Sequence, residues 1–336
     1  MTIEEIRQLM QTPAYDFLRT DPHLKNRICL LTLGGSHAYG TNVETSDVDI
    51  RGCALESAEE ILSGDTFEQR IDNATDTTVY NFRKLMTLLS SCNPNTIELL
   101  GCKPEHYLIL DDVGKELLAN ADMFLSKAAA FSFGGYANAQ LQRLNNKAMR
   151  AVSNDEARRH IIRVMNHAAE TYQEHYGFTP SVFDHDDEIC VSVTGENIKL
   201  ERLRAGLNNL AAIEKSFDTT GIRNRKAADH GKLGKHMMHL VRLYLMAFDI
   251  LEDGKIVTYR EKDHDFLMDI RNGKYLTDDN QPTAEFLEMT DEFENKLMVL
   301  KESSPLPAKP DHERIKNFIT RVRHDIVIKA EHGTLA

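Results

Sequence analysis

Residues 30–52 read Leu30-Leu31-Thr32-Leu33-Gly34-Gly35-Ser36-His37-Ala38-Tyr39-Gly40-Thr41-Asn42-Val43-Glu44-Thr45-Ser46-Asp47-Val48-Asp49-Ile50-Arg51-Gly52, and their pattern decides the fold. The apolar run Ile28 to Leu33 has strand length and is rich enough to be buried on both faces. Gly34, Gly35 and Ser36 follow as a tight turn, and residues 37–42 form one short helix or a loop. Asp47 to Arg51 then reads as a second strand. Side chains two apart on a strand share a face. Asp47 and Asp49 therefore project together, while Val48 and Ile50 face a core.

Two carboxylates so close repel each other unless a cation sits between them. Hard divalent cations such as Mg²⁺ take oxygen ligands and bridge carboxylates to substrate phosphates. Two such ions, about 4 Å apart, stabilise both the attacking and the leaving oxygen of a phosphoryl displacement. The Gly-Gly-Ser turn supplies the complementary half, because glycine lets backbone approach a phosphate and helix-start N–H groups attract anions. Each half alone has an ordinary explanation, as a simple turn or as a polar strand at a sheet edge. Joined by about a dozen residues in this order, they point to a nucleoside triphosphate site.

Gly35-Ser36, the spacer and Ser46-Asp47-x-Asp49-x-Arg51-Gly52 resemble the nucleotidyltransferases of the polymerase-beta superfamily. More narrowly, they resemble the bacterial and phage branch associated with RNA repair and RNA ligases. Asn93-Pro94-Asn95 with Glu98-Leu99-Leu100 is similar to that branch's Asn-Pro-Asn segment. Lys235-His236 with His239-Leu240-x-Arg242-Leu243 is similar to its later helix. The resemblance implies an α/β (α+β) fold with a small mixed sheet, a requirement for Mg²⁺ or Mn²⁺, and transfer of an NMP from an NTP such as ATP to a hydroxyl, releasing pyrophosphate. On that reading Asp47 and Asp49 bind metal, and Gly35 and Ser36 hold the terminal phosphates. A third carboxylate on a neighbouring strand completes the metal site and helps deprotonate the acceptor. Asp76 is the choice, since it opens the strand-like run Asp76-Thr77-Thr78-Val79-Tyr80. Asp65, Glu68, Asp72 and Glu98 compete with it. Arg51 is expected to buttress the acidic strand.

Lys235, His239 and Arg242 lie four and then three residues apart, on one helical face, with Arg223, Arg225, Lys226 and Lys232 before them. By spacing alone a solvated face is favoured over a phosphate grip. The resemblance implies a part in the nucleotide or acceptor site. Leu240, Leu243, Tyr244 and Ala247 form the core-facing side of that helix. Phe131-Ser-Phe-Gly-Gly-Tyr136 is unusual within a helical pattern, because two glycines cost about 2 kcal/mol relative to alanine. A kink is the expectation there; close packing and ligand access to the backbone are the alternatives. Asp184-His-Asp-Asp-Glu188 lacks the spacing of a calcium loop and reads as a solvated acidic loop.

The 336 residues suffice for two domains, a catalytic module over 1–105 and a larger all-helical part over 106–336 that completes the nucleotide and acceptor site. Thr2-x-x-Glu5 opens a first helix, Ser57 caps another, and residues 64–75 read as a polar connection. No apolar run approaches the ~20 residues of a membrane span, and Glu4 and Glu5 stand where a signal peptide would carry basic residues. The five cysteines form no Cys-x-x-Cys pair, so reduced thiols in a cytoplasmic protein are expected. A net charge of −12 argues against strong non-specific binding to nucleic acid. A small molecule, a short RNA end or a protein hydroxyl, the last being the acceptor of related antitoxin nucleotidyltransferases, remains as the acceptor, with the RNA end favoured. A catalytically silent nucleotide-binding protein is the third reading.

Overall fold

A computed structural model describes residues 1–148, 154–169, 172–186, 188–223, 230–278 and 281–333. It divides into two units. The first comprises 1–138, 238–269 and 288–336, and the second comprises 139–237 and 270–287. The first unit therefore keeps residues 1–105 together and adds segments from much later in the chain.

The first unit is built on a five-stranded mixed sheet of order β3-β4-β2-β1-β5. Its strands are β1 (Ile28–Leu33), β2 (Ile50–Ala54), β3 (Gln69–Asp72), β4 (Thr77–Asn81) and β5 (Tyr107–Leu110). β1 runs antiparallel to β2 and to β5, and β3 runs antiparallel to β4. β2 and β4 are parallel, with Ile50 opposite Thr77 and Arg51 opposite Thr78. A parallel pair needs a crossover, and the helix Ala58–Ser63 lies in it. Ser57 and Glu60 close a capping box at that helix start, as Thr2 and Glu5 do for the helix Ile3–Leu9.

One sheet face buries Leu31, Leu33, Ile50, Ala54 and Val79 against Ile6, Leu18, Tyr39 and Val48. This is the apolar set of the two strands flanking the glycine turn, so the burial expected of β1 and of Val48 and Ile50 is found. The ladder begins only at Ile50, however. β1 ends at Leu33 and the chain turns at Gly34, so residues 47–49 lie outside the strand. Asp49 is tied to the turn by a single bond, Gly34 N donating to Asp49 O at 2.8 Å.

Two expectations are corrected here. The connection 64–75 contains β3, an exposed edge strand whose residues are mostly polar and so carry no apolar signal. The helix Ala128–Ala148 runs unbroken through Gly134 and Gly135. A side chain on Gly134 would come within 3.2 Å of Leu297 Cδ2, so close packing offsets the poor helix propensity.

Among the described residues beyond β5 the regular elements are helices and, in the second unit, a hairpin, β6 (Thr179–His185) with β7 (Glu188–Thr194), so the all-helical expectation for 106–336 is corrected. Asp184 and His185 end β6 and Glu188 begins β7, so the acidic stretch is a hairpin turn; Asp187 lies outside the described residues. The hairpin packs on the helix Asn154–Ala169, where Asn166 Nδ2 donates to Val182 O at 2.7 Å and Val182 N donates to Asn166 Oδ1 at 2.8 Å. Met165, Tyr172, Phe178 and Leu210 form its core. No helix among the described residues is long and apolar enough to cross a membrane.

Candidate active site

The glycine turn and the acidic segment meet at the start of β2. Gly34 caps the short helix Gly35–Tyr39, and Gly35 has φ +55°. A side chain there would be strained by the backbone alone. It would also stand 1.8 Å from Asp49 Oδ2, so the Asp49 carboxylate lies directly against the Gly35 α-carbon. Ser36, the next residue, is buried. The pattern joined these residues by order, and the fold joins them by contact.

Asp47 is exposed, Val48 buried and Asp49 partly buried, the alternation expected of an extended segment. Asp76 immediately precedes β4, and the parallel register of β2 and β4 brings it level with Asp49. It adopts φ +45° and its carbonyl accepts from Ile50 N at 3.1 Å. Arg51 ties the group together. Its Nη2 lies 3.0 Å from Asp76 Oδ1 and 3.4 Å from Asp49 Oδ1. Its Nη1 donates to the carbonyls of Asp76 at 2.5 Å and Ile50 at 2.9 Å. One guanidinium nitrogen thus joins two carboxylates that immediately precede the neighbouring strands β2 and β4.

Three of the competing acids have other partners. Asp72 accepts from Thr75 N and Oγ1 within the β3–β4 turn, each at 2.9 Å. Glu68 accepts from Lys84 Nζ at 2.9 Å. Glu98 is buried and receives the Tyr39 hydroxyl at 2.9 Å and Arg242 Nη1 at 3.1 Å. Asn93 caps the short helix Pro94–Ile97, because Pro94 takes the first helical position, where its missing N–H costs nothing.

Arg242 sits 3.6 Å over the Tyr39 ring and is only 3% exposed, so it is neither on a solvated face nor open to a phosphate. Burial pushes the Tyr39 hydroxyl far above its ordinary range; Arg242 opposes this, and Glu98 and Asp49 reinforce it. His239 packs edge-on against Tyr39 at 6.0 Å. Leu240, Leu243, Tyr244 and Ala247 are buried as expected. Lys235 is exposed and belongs to the second unit; Arg225 and Lys226 lie outside the described residues. The spaced basic stripe is therefore split: its arginine fastens the end of the helix Gly35–Tyr39 to the segment after Asn-Pro-Asn.

Sequence reasoning missed the knot formed by Tyr39, Glu98 and Arg242, although all three residues lie in or beside motifs it singled out. It also missed Tyr136, whose hydroxyl accepts from Asn93 Nδ2 at 3.1 Å. The unusual spelling of residues 131–136 was the available signal.

A strand, a Gly-Ser turn and paired acids over a mixed sheet define a polymerase-beta-like nucleotidyltransferase. The chain belongs to the RlaP family, the RNA repair pathway DNA polymerase beta family, whose model matches residues 10–321. It is also similar to an uncharacterized 38.9 kDa protein in the nrdC-mobD intergenic region of Enterobacteria phage T4. The two are 27% identical over 285 residues, covering 72% of this chain and 81% of the phage protein. No solved structure matches.

Proposed function

We propose that the protein transfers an NMP from an NTP to a hydroxyl, with an RNA end as the acceptor and pyrophosphate released. The observation that carries this reading is the convergence of Asp49 and Asp76 on one cationic nitrogen, with the Gly35 backbone against Asp49. Family membership, with RNA repair in its description, supports the acceptor class.

The donor set is all oxygen, which suits a hard divalent cation. Among the described residues no group of three His, Cys, Asp or Glu side chains is gathered to hold a metal. That is consistent with a cation that takes its remaining ligands from substrate phosphate and water. Asp49 and Asp76, with Asp47 exposed at the same edge, would hold Mg²⁺ or Mn²⁺. The ion would neutralise the triphosphate and acidify the acceptor hydroxyl.

The chain's own residues have separable parts in the reaction. Gly35 and Ser36 present backbone to the terminal phosphates. Arg51 keeps the two carboxylates together in the absence of substrate. Asp76, with its side chain 56% exposed, is the carboxylate open to an incoming hydroxyl, whose proton it would take as the acceptor oxygen attacks the α-phosphorus. The bond to pyrophosphate breaks as the new P–O bond forms.

A second reading is favoured by Arg51 itself. A guanidinium already neutralises the carboxylate pair, as it would in a protein that binds nucleotide without turning it over. One experiment separates the readings. The protein is incubated with each α-labelled NTP, Mg²⁺, and an RNA carrying a 3′-hydroxyl or a protein extract. Label on RNA supports the proposal, label on protein moves the acceptor, and binding without transfer supports the silent reading.

A further inference from the structure

We infer that the open edge of β7 is where two copies of this chain pair, strand against strand, into a two-fold dimer.

Opposed residues of an antiparallel pair either exchange two backbone hydrogen bonds or exchange none, in alternation along the ladder. Val182 of β6 stands opposite Val191 of β7. The N–H and the C=O of Val182 are both taken by the Asn166 side chain, so neither serves β7. Val182 and Val191 are therefore a pair that exchanges none. The N–H and C=O of Val191 point away from β6, and those of Ile189 and Val193 point the same way. Asn166 thus closes the outer edge of β6. Among the described residues no strand closes the outer edge of β7.

The other sheet edges are guarded. Free edge strands invite pairing, and proteins block them with charge, short length or a covering group. At one end of the five-stranded sheet, the Arg7 guanidinium donates to the β5 carbonyls of Tyr107 at 3.1 Å and Leu108 at 3.4 Å. At the other end, β3 is four residues long and carries Arg70 and Asp72. By contrast β7 is seven residues long, pairs with β6 without a bulge, and contains no Lys, Arg or Pro. Val191 and Val193 are 43% and 37% exposed, and Ile189 is partly exposed.

The occupant is a second copy because the strand complements itself. Antiparallel pairing about a two-fold axis at Val191 sets Val191 against the partner's Val191 and Ile189 against the partner's Val193. The residues whose backbone faces outward then form the hydrogen-bonded pairs, and all are β-branched, the side chains that suit a strand best. Cys190 meets the partner's Ser192 and Glu188 meets the partner's Thr194, so no like charges are opposed. Parallel pairing in register would set Glu188 against the partner's Glu188. An isolated two-stranded hairpin is marginal, and pairing converts two of them into one four-stranded antiparallel sheet. The contact is isologous and closes on itself.

The test weighs the full chain by sedimentation equilibrium over a range of concentrations. A monomer–dimer equilibrium is expected. Val191→Lys places two like charges at the axis, and Val191→Pro removes the N–H that each copy donates there. Neither removes a bond to β6, so the melting temperature should stay near that of the wild type. Each should weaken dimerisation about tenfold or more, since every change occurs twice across the axis. Ser192→Cys tests the register without disrupting it. Non-hydrogen-bonded pairs bring α-carbons to about 4.5 Å, within disulfide range, and Cys190 is a free, partly exposed thiol. Oxidised glutathione should then join the introduced thiol to the partner's Cys190, each bond releasing two reduced glutathiones. Adding Cys190→Ser should abolish the link; a link that persists overturns pairing about Val191. A wild-type protein that is monomeric at every concentration overturns the inference and leaves the edge to another protein's strand. A dimer that survives both Val191 variants, or one in which Ser192→Cys forms no link, overturns it too.

Discussion

Two arginine–carboxylate groups in the first unit use the same chemistry for opposite ends. Arg51 stands between Asp49 and Asp76, with side chains 23%, 22% and 56% exposed. Arg242 and Glu98 are 4% and 7% exposed and sealed by the Tyr39 ring and hydroxyl. The open group costs little to rearrange, because water can replace any partner that leaves. The closed group cannot give up one partner without stranding a charge in the interior. Exposure, rather than residue type, thus separates a place where a ligand can exchange from a place that holds chain segments together. The two are linked through the short helix Gly35–Tyr39, which starts against Asp49 and ends in Tyr39.

The largest expected stability effect breaks the closed group. Glu98→Ala or Arg242→Ala should cost about 3–5 kcal/mol, because each leaves an unpaired buried charge. Thermal unfolding measures it. Replacing both partners with apolar residues of similar volume, Glu98→Leu with Arg242→Met, should recover most of that loss. An Arg242→Ala protein that melts normally but no longer binds nucleotide would abolish the distinction, since Arg242 would then be a ligand.

The open group should behave in reverse. Asp49→Asn should lower NMP transfer by more than the roughly 100-fold typical of outer-shell partners of a metal, with little change in melting temperature. Asp76→Asn should lower turnover more than NTP binding, since a base acts in the transition state. Single-turnover rates and nucleotide affinity, measured separately, decide it. If Asp76→Asn keeps its rate, another group takes the proton.

Gly35→Ala sits where the two regions join. It should cost about 1–3 kcal/mol from its left-handed backbone, and more from the clash with Asp49. Denaturant unfolding should show this together with loss of transfer. A variant that loses only transfer would mean that the turn adapts and the carboxylate moves instead.

The smallest effect is a pH dependence. His37 and His106 are both buried, and burial lowers both imidazoles below the ordinary value of 6.5. The unfolded chain therefore takes up protons first as the pH falls. Their contribution to stability is whole above about pH 6.5 and is lost toward lower pH as the folded-state values are passed. Denaturant midpoints at several pH values should show that slope, and His37→Gln should flatten it. His37 Nε2 and His106 Nδ1 have no hydrogen-bond partner among the described residues, in keeping with neutral rings.

Much of this was legible in residues 30–52. The alternation around Val48 and Ile50 gave the buried face, and the glycines marked the turn, because both signals are local and periodic. The capping boxes at Thr2 and Ser57 were equally local. β3 was not legible, because an exposed edge strand needs no apolar alternation. The hairpin β6–β7 likewise carries few buried side chains to mark its period. The continuity of the helix through Gly134 and Gly135 depends on a neighbour, Leu297, more than 150 residues away in the chain.

The sequence by itself determined which residue types the turn and the acidic segment bring together, because glycine, serine and paired aspartates have chemistry that few other residues share. Only the tertiary structure decided which acid joins Asp49, since Asp76 reaches it through the register of two parallel strands. It also decided that Arg242 is sealed while Arg51 is open. Both are arginines near carboxylates in the chain's own motifs, and their difference lies in the water each retains once the sheet and helices have packed.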